Sequence, residues 1–160
     1  MPLHAYNGKR INSRSAAVAP LSAFSLIELL TVVAILGIIM AVAVPSWQQH
    51  LLVARRGDAT GALLRTALRQ EQFLLRQRRY ASASEMTMPP PVGLGITGSF
   101  HDHYEVSVTS HLSGYLATAQ VRINGAQARD TRCWTLNLDA AGNRSALDHH
   151  GRESTQECWK

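Results

Sequence analysis

A single carboxylate in a long apolar run is the first feature of this sequence that suggests chemistry. Glu28 is the one charged side chain in residues 24–44. A charge deep in a bilayer costs at least ~2.5 kcal/mol, so an acid in such a segment is a functional candidate by default. The alternative is that Glu28 lies close enough to the end of the segment to reach headgroup water. Composition alone leaves both interpretations open.

Histidines in the C-terminal half raise the question of a metal site. They are His101, His103, His111, His149 and His150. No cysteine or acidic residue completes a recognisable ligand spacing, so exposed loop histidines are the favoured interpretation. The sequence also contains no nucleophile–base set, glycine-rich phosphate loop or pair of carboxylates. We therefore expect no metal, no cofactor and no enzymatic activity.

Arginines recur at helical spacing in the middle of the chain. Arg65, Arg69 and Arg76 fall on one helix face together with Asp58. A charged helix face is usually only solvated, which is the interpretation we favour. The alternative is a DNA contact, because arginines at this spacing can follow a phosphate backbone. Arginines of the predicted sheet region could form such a patch as well: Arg122, Arg129, Arg132 and Arg144. Against DNA binding, the few aromatic residues are not interleaved with the basic ones.

The net charge and the cysteines narrow the class of protein. The 160 residues carry 16 basic and 11 acidic side chains, and three of the basic ones precede Phe24. The remainder is near +2, which is mild for a dedicated nucleic-acid binder. Cys133 and Cys158 are the only cysteines. Two cysteines in an exported domain most often form one disulfide, worth roughly 3 kcal/mol for a loop of this size, and a free pair is the alternative.

A long helix must position Glu28 and the arginines. As a helix, residues 24–44 would be about 30 Å long, which matches the hydrocarbon core of a bilayer. Pro45 removes an amide donor, so we predict a kink in a helix that then continues as an amphipathic segment over residues 45–81. The apolar face of that segment needs a partner. It carries Leu63, Leu64, Ala67, Leu68, Leu74 and Leu75.

The remaining residues predict a connecting loop and a small sheet. Residues 82–103 are rich in proline and glycine and read as the loop. Residues 104–160 contain alternating apolar and polar runs, with a hairpin turn before a short strand at 144–147. Three or four antiparallel strands would place one apolar face against the helix. The predicted fold is α+β: a long N-terminal α-helix, transmembrane in its first half, packed on a small antiparallel β-sheet.

The start of the apolar run resembles the N-terminal signature of type IV pilins and pseudopilins. The match covers Ala23 to Leu30, the apolar run and Pro45. It implies the lollipop shape of a pilin and removal of residues 1–23 as a basic leader, with prepilin peptidase cutting between Ala23 and Phe24. It also implies N-methylation of Phe24 and pairing of Glu28 with a neighbouring subunit's terminus during assembly, and two buried charges are indeed tolerable only as a pair. Ala23 stands where the family nearly always has glycine.

The C-terminal part is similar to a minor-pilin subgroup called PilE-like. The similarity lies in the arrangement of Gln127, Asp130, Cys133, Gly142 and the closing Cys158-Trp159. It implies a disulfide between Cys133 and Cys158 that clips the C-terminal segment onto the sheet.

These resemblances imply a structural minor pilin of a type IV pilus, supporting pilus biogenesis, twitching motility or adhesion. Its partners would be other pilin subunits, prepilin peptidase, the pilus assembly machinery and the inner membrane. The precursor would cross the inner membrane once, with a periplasmic C-terminal domain, and the mature subunit would enter an extracellular pilus. Two alternatives stay open: a minor pilin that binds DNA for natural transformation, since some PilE-like pilins do so, and a type II secretion pseudopilin.

Overall fold

The computed structural model describes residues 24–159 of the chain, so the predicted leader and Ala23 lie outside the described residues. The chain divides into two compact units, with the boundary between Ala41 and Val42. The elements follow one another as α1 (Leu26–Gln77), a short 3-10 helix (Ala83–Glu85), β1 (Tyr104–His111), β2 (Gly114–Val121), β3 (Thr135–Asp139), β4 (Arg144–Leu147) and α2 (Thr155–Cys158).

Helix α1 is a single element of 52 residues that continues through Pro45. Among the described helices it is the one long and apolar enough to cross a membrane, and none of its most apolar window is buried within the chain. Whether Pro45 kinks the helix stays a prediction.

Helix α1 ends at Gln77, earlier than the predicted end near residue 81. Arg78 adopts a left-handed backbone conformation with φ of 58°, and its N–H donates to the carbonyl of Leu74 at 2.8 Å. A left-handed residue with this hydrogen bond is a common way to end a helix. The chain then turns back, because the side chain of Gln70 both donates to Ala81 O at 3.0 Å and accepts from Ala81 N at 2.8 Å.

The sheet has four antiparallel strands in the order β1-β2-β3-β4, which confirms the predicted architecture. Val106 pairs with Ala119, Ala119 with Leu136, and Leu136 with Ala146. This register places one apolar residue of every strand in a single row, and all four side chains are buried. Because side chains alternate between faces of a strand, the row defines the face that packs in the core with α1.

The buried stripe of α1 is narrower than the apolar face predicted from the sequence. Leu63 is fully buried, whereas Leu64, Leu68 and Leu75 are 51%, 59% and 77% exposed. The sheet covers a stripe that includes the polar Thr66 and Gln70, both fully buried. Thr66 donates to Ala62 O at 2.8 Å, and Gln70 is satisfied by Ala81. Because Thr66 and Gln70 have hydrogen-bond partners within the protein, they can be buried, while the three leucines remain exposed to solvent.

A disulfide closes the C-terminal region, as the family resemblance implies. Cys133 and Cys158 are bonded, with 5.6 Å between their Cα atoms. Cys133 precedes β3, and Cys158 ends α2. The bond therefore joins the last helix to the start of β3 and places the C-terminal segment against the sheet.

Candidate nucleic-acid interface

Arginines of the described chain fall into two groups by their partners. Five form ion pairs: Arg56 with Asp130, Arg79 with Glu85, Arg122 with Asp102, Arg132 with Glu157, and Arg152 with Asp148. Within residues 24–159, the other seven have no carboxylate partner: Arg55, Arg65, Arg69, Arg76, Arg78, Arg129 and Arg144. Only the second group holds guanidinium charge that a phosphate could neutralise without first breaking an ion pair.

Three arginines of the second group form a line along α1, which we call the arginine ridge: Arg65, Arg69 and Arg76. Arg65 donates to Gly98 O at 2.8 Å, Arg69 to Gln72 Oε1 at 3.2 Å, and Arg76 to Gln72 O at 3.1 Å. A guanidinium has five N–H donors, so each arginine is held in place and keeps donors free. At ~1.5 Å per residue the ridge is about 16 Å long, or roughly five steps of one DNA strand.

A groove of about 590 Å³ opens beside the ridge, between α1 and the residues that precede β1. We call it the ridge groove. Arg65 lines it as the first residue of the ridge, and Arg55 lines it ten residues earlier on α1. Phe100, His101 and His103 form part of its wall, and the Phe100 side chain is 81% exposed. The fold thus places an exposed aromatic ring beside unpaired arginines.

Asp58 fixes the position of that wall. Its carboxylate accepts hydrogen bonds from the N–H groups of His101 at 3.0 Å and His103 at 3.4 Å, and it lies 3.3 Å from the His101 ring nitrogen Nδ1. Burial by itself would raise the pKa of Asp58. The hydrogen bonds from Ser99, His101 and His103 outweigh burial and hold the pKa of Asp58 below its usual value. An ionised Asp58 therefore ties the loop to α1.

A buried polar cluster attaches the segment after β2 to α1. Arg56 donates to both oxygens of Asp130, at 2.7 and 2.9 Å, and Gln127 donates to Asp130 at 2.9 Å and to Leu52 O at 3.0 Å. These contacts give physical roles to Gln127 and Asp130, which the sequence marked only by resemblance. They also bring the exposed Arg129 to a second groove that Arg55 lines.

The histidines that raised the question of a metal site form local contacts in the described part of the chain. No group of three or more metal-ligating side chains occurs within residues 24–159. His101 and His103 stack with 6.1 Å between ring centroids, His149 packs edge-on against Trp134 at 4.4 Å, and His111 ends β1. The five histidines serve separate local contacts rather than one centre.

Two of the three predicted N-terminal sites, Phe24 and Glu28, lie within the described residues. Ala23 is outside the described residues, Phe24 is 81% exposed and precedes the helix, and Glu28 lies in its first turn with an exposed side chain. The roles of these three residues in cleavage, methylation and assembly stay predictions.

Sequence reasoning missed Arg55, Arg56 and Phe100. Arg56 and its partner Asp130 are 74 residues apart in the sequence. Phe100 lies beside α1 because Asp58 accepts hydrogen bonds from His101 and His103, which are 43 and 45 residues further along the chain. No local pattern carries information on such pairings. The one available signal was the isolated aromatic residue in a stretch of glycine, serine and histidine.

Comparison with known families gives a match over more than half of the chain. Residues 45–137 match the family described as "Type IV minor pilin ComP, DNA uptake sequence receptor". A search of the curated proteins finds no match. The matched region contains the arginine ridge, the ridge groove, β1, β2 and most of β3. The long helix with an apolar N-terminal part, the four-stranded antiparallel sheet and this match lead to one conclusion: the chain belongs to the ComP family of type IV minor pilins.

Proposed function

We propose that this minor pilin binds DNA, as the description of its family suggests, and that the arginine ridge is the surface that contacts it. The observation that carries the proposal is the set of three aligned arginines on α1 that have no carboxylate partner in the described chain. Their guanidinium groups are already held by hydrogen bonds to protein acceptors, so these side chains lose less conformational entropy on binding.

The local charge supports DNA binding better than the net charge does. Residues 55–79 contain five arginines without a carboxylate partner in the described chain, and two carboxylates, Asp58 and Glu71. Phosphate attraction depends on the charge that lies near the backbone, within a Debye length of about 8–10 Å. A chain with a mild total charge can therefore still present one strongly basic surface.

The proposed function includes the pilin pathway implied by the N-terminal residues. Prepilin peptidase would cut between Ala23 and Phe24, and the new terminus at Phe24 would be methylated. The apolar part of α1 would anchor the subunit in the inner membrane and then pack among the helices of other pilin subunits, with Glu28 pairing to a neighbouring terminus. The family match is to a minor pilin, which favours a pilus over a secretion pseudopilus. The family supports a structural subunit, and nothing in the described site suggests a catalytic group.

The test is DNA binding by the full-length chain in detergent micelles, measured by fluorescence anisotropy with a short labelled duplex over a salt series. Arg65→Gln, Arg69→Gln and Arg76→Gln, singly and together, should weaken binding. Each arginine that neutralises a phosphate should reduce the slope of log K against log salt by about 0.9.

Arg132→Gln is the matched control, because Arg132 is 71% exposed but already paired with Glu157. We expect this variant to keep the salt slope of the wild type. A triple ridge variant that binds with unchanged affinity and slope would contradict the proposed site.

A further inference from the structure

We propose that the ridge groove binds an unpaired DNA base, so that this site prefers single-stranded to duplex DNA. The inference rests on the proposed function and names the form of DNA that the site takes. The base would lie against Phe100, and phosphates further along the same strand on either side would contact Arg55 and Arg65.

The floor of the ridge groove is a surface of small residues on α1. Ala54, Gly57 and Gly61 line it, and a Cβ atom added at either glycine would meet nothing within 4 Å. The helix backbone is therefore open to close approach here. A floor without large side chains at these positions lets a planar ring approach the helix backbone closely and make many van der Waals contacts with it.

The wall of the ridge groove is aromatic. Phe100 contacts His101 edge-on, with 5.1 Å between ring centroids, and His101 stacks on His103. These contacts orient the Phe100 ring while leaving most of its surface exposed. Every base has a π-face, so an oriented, exposed aromatic ring is the usual platform for unpaired bases.

The ends of the ridge groove are cationic. Arg55 donates to Ala126 O at 3.2 Å and Arg65 to Gly98 O at 2.8 Å, and neither has a carboxylate partner among residues 24–159. Ten residues of helix place them about 15 Å apart. A purely apolar ligand would leave Arg55 and Arg65 without a charged partner. A single strand can place a base against Phe100 and the helix floor, and its phosphates can contact both arginines.

The ridge groove is held open before any ligand binds. Asp58, with a side chain that is 3% exposed, accepts hydrogen bonds from the backbone of His101 and His103. Its charge is directed to those N–H groups, which limits its repulsion of a phosphate. A preformed groove loses little conformational entropy on binding.

The experiment compares two probes of the same sequence, one single-stranded and one duplex, on the full-length chain in micelles. Phe100→Ala should weaken single-strand binding about tenfold, because base stacking on an aromatic ring contributes on this scale, and should change duplex binding less than twofold. Phe100→Trp should restore single-strand binding. Gly57→Leu, which fills the floor at an open position of the helix, should give the same selective loss as Phe100→Ala.

The outcomes separate this inference from the proposed function. If Phe100→Ala and Gly57→Leu weaken binding of both probes equally, or of neither, the base site is overturned. A loss of duplex binding in the ridge variants would still support the proposed DNA binding. A wild-type chain that binds neither probe at low salt would overturn both. Self-association that Phe100→Ala abolishes, with single-strand binding unchanged, would assign the groove to a second copy of this chain instead.

Discussion

Asp58 shows how one carboxylate can fix the geometry of a groove between a helix and a loop. It lies on α1 among small and basic residues, and it binds the backbone of the loop that carries Phe100. Hydrogen bonds to a charged acceptor are stronger than those between neutral groups. Neutralising Asp58 should therefore loosen the loop and the wall of the ridge groove together.

We predict that the stability contributed by Asp58 depends on pH. Because its folded pKa is below the unfolded value of 3.8, the contribution is present above that value and is lost as pH falls through the folded pKa. Asp58→Asn should reduce the free energy of unfolding by about 1–3 kcal/mol at neutral pH, and this reduction should become smaller as the pH falls below 3.8. Denaturant unfolding of both chains over a pH series measures this.

The comparison is best made in a His101→Gln background, since the ring nitrogen Nδ1 of His101 also lies 3.3 Å from the Asp58 carboxylate. Other carboxylates with lowered pKa values, such as Asp139 and Asp148, are present with and without Asp58→Asn, so their contributions cancel in the difference in unfolding free energy. A difference that stays constant from neutral to acid pH would show that the Asp58 charge does not stabilise the loop.

At the scale of elements, α1 presents three different surfaces along residues 59–76. One stripe is buried on the sheet, a second carries the arginine ridge, and a third exposes Leu64, Leu68 and Leu75. A helix with 3.6 residues per turn gives neighbouring residues different faces, so adjacent leucines have different environments.

Leu63 and Leu64 test this division directly. Leu63→Ala should reduce the free energy of unfolding by about 2–5 kcal/mol, because it removes a fully buried side chain and leaves a cavity. Leu64→Ala should change it by about 0.5 kcal/mol or less, because its side chain is half exposed. Denaturation of each variant in micelles, followed by tryptophan fluorescence, provides the comparison. Equal effects would mean that the helix packs on a different face.

The elements also show where sequence reasoning succeeds. Alternation of apolar and polar residues predicted the strands, and the predicted bounds of β4 are those observed. The end of α1 was placed too late because its stop is a left-handed arginine rather than glycine or proline. The predicted apolar face was too wide because partners for Thr66 and Gln70 come from tertiary structure. Local patterns encode periodicity, whereas burial depends on which stripe the sheet covers.

At the scale of the whole molecule, we predict that the mature subunit begins with N-methylated Phe24 and contains one disulfide. Intact mass and N-terminal sequencing of protein from membranes and from sheared pili test both. The mass should correspond to residues 24–160 with one added methyl group and two hydrogen atoms fewer than the reduced chain. A product that still begins at Met1, or one cut after the apolar run, would exclude the pilin pathway.

The disulfide also has a mechanical consequence. The bond from Cys133 to Cys158 closes a ring that contains β3, β4 and α2. A small domain that is pulled from its C-terminal end lengthens by losing strands from the edge of its sheet. The covalent ring ties β4 and the C-terminal segment to the start of β3, so extension beyond the ring requires the backbone hydrogen bonds between β2 and β3 to break. The disulfide that stabilises this small domain in the absence of force would thus also limit how far the domain extends under force.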